Sequence, residues 1–290
     1  MRILSTLAVV VVAMTSVGTA SAAPIVFSAI GTSPADIQAT VDAFRASLGT
    51  LNANTPGSVG SGRREINWDG VPDGFSAPNA FPADFFNANV AGRARGVVFS
   101  TPGTGFQTSA DSSNPTSTPI LFNNLLTGPG GEAGSANFQT FSAERLFTAI
   151  GSNVTDVAFF VPGSTTAALS RGFGVVFTDT DDGSISITGL EFFGSDGASL
   201  GSFLAPANTT NQNLSFLGVG FSDSVVARVR ITSGKCAIPT PTGICSEDVV
   251  VMDDFIFGEP VAAPAAVPAP ASALLLGAAL AGLGLTRRRA

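Results

Sequence analysis

Chemistry in this chain has to come from carboxylates. The 290 residues include no histidine and no tyrosine, one tryptophan and two cysteines. Without histidine there is no Ser-His-Asp or Cys-His nucleophile, no His-ligated zinc and no imidazole acid/base group. The densest acidic stretch is Asp179-Thr-Asp181-Asp182-Gly183. It offers three hard oxygen ligands of the kind calcium takes. Asp and Gly also suit a solvated turn for backbone reasons, and both readings stand. A second acidic pair, Asp253-Asp254, sits inside an apolar run. Strand residues alternate faces, so one of the two must point inward, where a lone carboxylate is costly without a cation or N–H donors. If Cys236 faces Cys245, the extended register sets Arg228 opposite Asp253 and turns Asp254 toward the core. Asp254 is then either hydrogen-bonded to a loop or a fourth calcium ligand beside Asp179, Asp181 and Asp182.

Asn67-Trp68-Asp69-Gly70 is the one place where an indole adjoins a carboxylate. Trp68 and Asp69 could stack on and hydrogen-bond a sugar ring, or Trp68 could pack into a core. For a glycan hydrolase or lyase the available acids are Glu65, Asp69, Glu144 and Glu191. Their sequence positions define no acid/base pair. Cys236 and Cys245 enclose a short loop. In an exported chain they are expected to pair, stabilising by less than the ~3 kcal/mol of a 15-residue loop.

Export is legible at the N-terminus. Met1-Arg2, the apolar run to Met14 and Ala20-Ser21-Ala22 have the charge, apolar core and small-residue cleavage site of a secretory signal, residues 1–22. At the other end, Ala271 to Leu285 is uninterruptedly apolar and Arg287, Arg288 and Arg289 follow, an arrangement that stops translocation and forms a C-terminal apolar helix over 271–285. Removing Arg2 and these three arginines from the 14 basic residues leaves 10 against 21 acidic ones, so the body carries −11. That charge disfavours nucleic acid and anionic lipid as partners.

The elements that must position these residues lie between the two ends. Ser33-Pro34 opens a helix over 34–48, with Ile37, Val41, Phe44 and Leu48 on one face and Gly49 as its stop. Pro82 to Asn87 and Ala143 to Ile150 are shorter helical candidates. Gly, Pro, Ser and Asn saturate residues 52–62, 101–119 and 127–137, so residues 23–153 are expected to be loop-rich. Alternation marks strands at 154–161, 172–178, 184–193, 214–221, 225–232 and 248–257. Between 184 and 193 the inward parity flips, which predicts a β-bulge near Gly189. Residues 154–260 therefore form the core of an all-β, antiparallel, jelly-roll-like β-sandwich with one short N-terminal helix. Residues 261–270, nearly all Ala, Pro and Val, are a semi-extended linker of roughly 3.1 Å per residue.

Val267-Pro268-Ala269-Pro270-Ala271-Ser272, the apolar run and the arginine cluster together resemble the PEP-CTERM class of bacterial sorting signals, in the variant reading Val-Pro-Leu-Pro-Ala. Ala269 and the trailing Ala290 depart from that pattern. The strands Gly172 to Asp179, Phe216 to Val219 and Val251 to Gly258 resemble bodies that accompany such tails. The resemblance implies an exosortase-type sorting enzyme as partner, passage through the membrane, and residence in the envelope, on the surface or in the extracellular matrix of a Gram-negative bacterium. Val267, Pro268, Pro270 and Arg287 to Arg289 carry the sorting signal. The function expected is a non-catalytic surface protein associated with extracellular polysaccharide and calcium. The alternatives are the hydrolase or lyase and a ligand-free structural module.

Overall fold

The computed structural model describes residues 23–113, 120–122, 138–181, 186–239 and 248–263. The expected signal peptide (1–22), the expected linker from 264 onward, the expected sorting tail and 271–285 helix, Asp182 and Cys245 lie outside the described residues. Among those described, no helix is long and apolar enough to cross a membrane.

The chain is mostly β, with antiparallel pairing between all its named strands and one α-helix. One sheet runs β1 (Ile25–Gly31), β11 (Leu214–Gly220), β8 (Gly172–Thr178), β13 (Val251–Gly258), β5 (Phe147–Ile150), β4 (Gly105–Thr108). In it β2 (Arg63–Ile66) also pairs with β13. The other runs β10 (Ser199–Leu204), β9 (Gly189–Phe193), β12 (Arg228–Thr232), β6 (Val154–Phe159), β3 (Val97–Ser100). A small ribbon pairs β7 (Ala168–Leu169) with β14 (Val261–Ala262).

The two large sheets share one aromatic core. Phe173, Val175, Phe177, Phe255 and Phe257 from the first meet Phe99, Phe159, Phe192, Val229 and Ile231 from the second. Alternation sends the intervening residues of the first sheet to its other face. There Val176, Leu214, Phe216 and Ile256 meet the stripe Ile37, Val41, Phe44 and Leu48 of α1 (Pro34–Leu48). The first sheet is thus covered on both faces, which explains why β8 and β13 are buried throughout. Gly218 makes room for the helix: a Cβ there would stand 2.8 Å from Phe44 Cγ. Asp36, three residues past Ser33, accepts the Ser33 N–H at 2.9 Å and fixes the helix start.

The outer face of the second sheet is polar. Arg228 and Arg230 leave β12 on that side, and both pair with Asp156 of β6. Alternation thus holds for β12 as the sequence reads it.

Three expectations need correction. Residues 143–150 are not helical; their second half is β5, paired with β4, which itself lies in a stretch read as loop. At 82–87 only a single 3-10 turn, Phe85–Asn87, is present. The bulge expected near Gly189 is on the partner strand, where Ser199 pairs with Phe193 and Gly201 with Phe192. The parity flips because β9 starts at Gly189, and Ile187 before it is 46% exposed.

Candidate functional site

The register of β13 decides where its two aspartates go. Val251 pairs with Thr178 and Met252 with Phe177, but Phe255 pairs with Val175. Asp253 and Asp254 therefore share one place opposite Val176, a β-bulge. Both carboxylates leave the strand away from the aromatic core. Asp253 Oδ2 accepts the N–H groups of Phe141 at 2.6 Å and Ser142 at 3.2 Å. Asp254 Oδ1 accepts the Ser142 hydroxyl at 2.7 Å, and its Oδ2 accepts from Arg45 Nη2 at 3.3 Å. Arg45, in the last turn of α1, also grips Glu65 of β2 at 3.1 and 3.0 Å, and Arg63 Nε reaches Glu65 at 2.6 Å. Helix, β2, β13 and the 141–142 loop are held together at this point.

Asp253 is 0% exposed. Burial, then the neighbouring Asp254 carboxylate, holds its acid form well above the usual carboxylate range, against the two backbone N–H bonds. Its Oδ1 has no hydrogen-bond partner. Burial raises Asp254 to about 6, opposed by Ser142 and Arg45. Asp69 accepts the Arg145 N–H at 3.2 Å and Asn67 Nδ2 at 2.9 Å, and burial raises it as well. Asp254 and Glu65 tie the helix to the sheet through Arg45, Asp69 holds the 142–145 segment, and the Asp253 carboxyl is fully covered.

The expected Arg228–Asp253 pair does not form. β12 and β13 belong to different sheets, and Arg228 turns to Asp156 on the outer face. The two chain segments come into β pairing near Gly234, which bridges Val249. Cys236 is buried, and no described cysteine is free; its expected partner Cys245 lies outside the described residues.

A second acidic group collects at the end of β8. Asp179, in the left-handed region at φ 69°, accepts the Gln212 N–H at 2.9 Å. The β8–β13 register, extended three residues, sets Asp248 opposite Asp181, and Asp248 Oδ1 accepts the Asp181 N–H at 3.2 Å. Asn213 Oδ1 receives both the N–H and the hydroxyl of Thr180, at 3.1 and 2.7 Å, pinning the loop. Burial, then the nearby Asp181 and Asp248 carboxylates, pushes Asp179 up to about 7. Asp181 is also raised, by burial. The expected quartet is therefore divided: Asp179 and Asp181 are together, joined by Asp248, while Asp254 belongs to the Arg45 cluster. Among the described residues no group of three or more carboxylates is arranged to hold a metal ion.

Trp68 is a core residue. It is 1% exposed, stacks on Phe147 at 4.0 Å and 3°, meets Phe86 and Phe255 edge-on, and donates from Nε1 to the Asp253 carbonyl at 3.1 Å. An indole covered this way has no open face for a sugar. Of the acids considered for hydrolysis, Glu65 and Asp69 both lie near Asp254, whereas Glu144 and Glu191 are held elsewhere. Glu65 is bound by two arginines, Glu144 accepts from Ser112, and Glu191 on the second sheet accepts from Ser199.

Sequence reasoning missed Asp248, Arg45 and Ser142. Only the first carried a signal, since pairing 172–178 with 248–257 end to end brings it to Asp181. No family model matches the chain, and neither a curated protein nor a solved structure is detectably similar to it.

Proposed function

We propose that the chain is an exported, non-catalytic protein of the surface or extracellular matrix of a Gram-negative bacterium, a jelly-roll-like sandwich that associates with polysaccharide. Residues 1–22 direct export. The tail at Val267, Pro268, Pro270 and Arg287 to Arg289 is handed to an exosortase-type enzyme after a temporary membrane stop. Cys236 and Cys245 pair once the chain reaches an oxidising compartment. Calcium, in this reading, takes Asp179 and Asp181 with Asp182; Asp254 is left out because Arg45 and Ser142 already occupy it.

The observation that carries the non-catalytic reading is the engagement of the buried acids. Asp253, Asp254 and Glu65 are tied to backbone N–H groups, Ser142, Arg45 and Arg63 within the packed helix–sheet junction. General acid/base work instead needs carboxyl groups facing a substrate-sized opening. Incubation of the purified protein with polysaccharides tests this directly. Retention on the glycan without new reducing ends or unsaturated products is expected, and release of either would overturn the reading. Sorting is tested separately by replacing Arg287, Arg288 and Arg289 with Gln; unchanged surface display of that variant would sink the sorting assignment.

A further inference from the structure

Six of the nine arginines in the body have carboxylate partners: Arg45, Arg63, Arg64, Arg145, Arg228 and Arg230. Among the described residues Arg171 has none, and neither have Arg93 and Arg95, although acids outnumber bases twofold in the body. A shortage of acid cannot account for this. Arg93 and Arg95 line one cavity of about 230 Å³, together with Trp68, Pro72, Phe85 and Phe86.

Arg93 Nε donates to the Phe85 carbonyl at 3.0 Å, and its guanidinium lies 3.8 Å over the Phe85 ring. Its Nη groups make no hydrogen bond among the described residues. Arg95 lies 4.3 Å over Phe86, and its guanidinium makes no hydrogen bond or ion pair there; its Nε is buried and unsatisfied. The Arg64 guanidinium nearby already has its own acid, Glu259, at 2.7 and 2.9 Å. Burial, then the neighbouring Arg64 charge, lowers Arg95 to about 10, so it remains a cation at neutral pH without a counter-ion. An uncompensated buried charge is costly, and a site that keeps one beside an open cavity is complementary to an anion.

We infer that this cavity binds the carboxylate of an acidic sugar residue through Arg93 and Arg95. A guanidinium presents a planar fork that matches a carboxylate with two parallel N–H···O bonds. Phe85 and Phe86 lie under the two guanidinium groups and hold the forks in place, and Pro72 adds apolar lining. The volume lies below the ~300–1,000 Å³ of drug-sized sites, so the occupant is one residue of a chain. Naming a sugar as the carrier rests on the polysaccharide reading; the oxyanion site does not.

Trp68 is the sole tryptophan, tyrosine is absent and Trp68 is one of the lining residues, so intrinsic fluorescence comes from a single residue beside this cavity, and isothermal titration calorimetry reads binding independently of it. The purified protein is titrated in chelator with galacturonate, galactose and sulfate. Galacturonate is expected to give a saturable change and galactose none. Arg95→Met should weaken galacturonate at least tenfold, Arg93→Gln should weaken it less, and Arg95→Lys should retain part of the affinity. Without ligand, Arg95→Met should melt at or above the wild type, because it keeps the packing on Phe86 and removes the unpaired charge. A structural arginine would instead leave that variant less stable. No saturable anion response in the wild type, or equal curves for wild type and Arg95→Met, overturns the site. Saturation by sulfate without galacturonate overturns the sugar assignment. Binding of neutral polysaccharide that Arg95→Met leaves intact overturns this inference while the polysaccharide reading survives; galacturonate binding by a protein that retains no polysaccharide does the reverse.

Discussion

Replacing Asp179 with Asn should remove the share of the stability loss at rising pH that this one carboxyl causes, leaving the shares of Asp253 and Asp254. Burial, with Asp181 and Asp248 nearby, raises Asp179 from its ordinary 3.8 to about 7. The folded state therefore holds a proton that the unfolded chain has released, so stability is full below the unfolded value and falls as pH rises through the folded one. A displacement of this size corresponds to about 4 kcal/mol over the whole window, of which about 3 kcal/mol falls between about pH 5 and pH 8. For a body of this length, that is a drop of roughly 5–10 °C in melting temperature. Asn preserves the shape, tolerates the left-handed backbone at this position and can still accept the Gln212 N–H. Melting curves for both proteins, recorded in chelator at the two pH values, give the answer. The variant should lose most of this drop and be the more stable of the two at the higher pH. An identical pH dependence in the variant would refute the account of Asp179 as a proton held by burial.

Millimolar calcium tests the metal reading of the same loop. If the ion binds the folded state at 100 times its dissociation constant, it adds ~2.7 kcal/mol and removes the high-pH penalty of Asp179; superimposable melts in calcium and chelator exclude it. Gly218→Ala places a methyl group against Phe44 and Phe216 and should cost about 1–3 kcal/mol by denaturant unfolding. The cost should shrink in a Phe44→Leu background, since the two positions touch. Arg45→Met leaves Glu65 to Arg63 and Asp254 to Ser142 and should destabilise by on the order of 1–3 kcal/mol. Adding Asp254→Asn should recover part of that loss.

The helix was readable because each of its signals agreed: a Ser-Pro start, four apolar residues at helical spacing, and Gly49 at the end. Strands β6, β8, β11, β12 and β13 were readable from alternation or from unbroken apolar runs. The short strands of the first half were not. β4 and β5 have four residues each, too few to show a period of two. Ala143, Glu144 and Leu146 are good helix formers, and pairing with β4 overrides that local preference for the residues that follow. The aspartate pair misled for a sharper reason. Alternation assigns adjacent strand residues to opposite faces, and a bulge is the one local event that cancels it. Nothing in Val-Met-Asp-Asp-Phe marks a bulge, because its cause is tertiary: Arg45, Ser142 and the Phe141 N–H all wait on one side.

The bulge also explains how one helix can be fixed on a sheet whose other face is already packed. The apolar stripe from Ile37 to Leu48 supplies adhesion but little direction, since hydrophobic burial is non-directional. Gly218 gives the stripe a shallow place for Phe44, which limits lateral position. Arg45, next to Phe44, then meets Glu65 and Asp254 from two different strands, which limits rotation. Had Asp253 and Asp254 alternated, one would have faced Phe147 and Phe255 without a donor, and the other would have held Arg45 alone. Doubling them on the helix side keeps the aromatic core free of charge. It also places both carboxylates where N–H, hydroxyl and guanidinium donors converge. The same consideration bears on Arg93 and Arg95: six of the nine arginines in the body meet acids, and these two instead line one cavity, which is the ground for placing an anion from outside there.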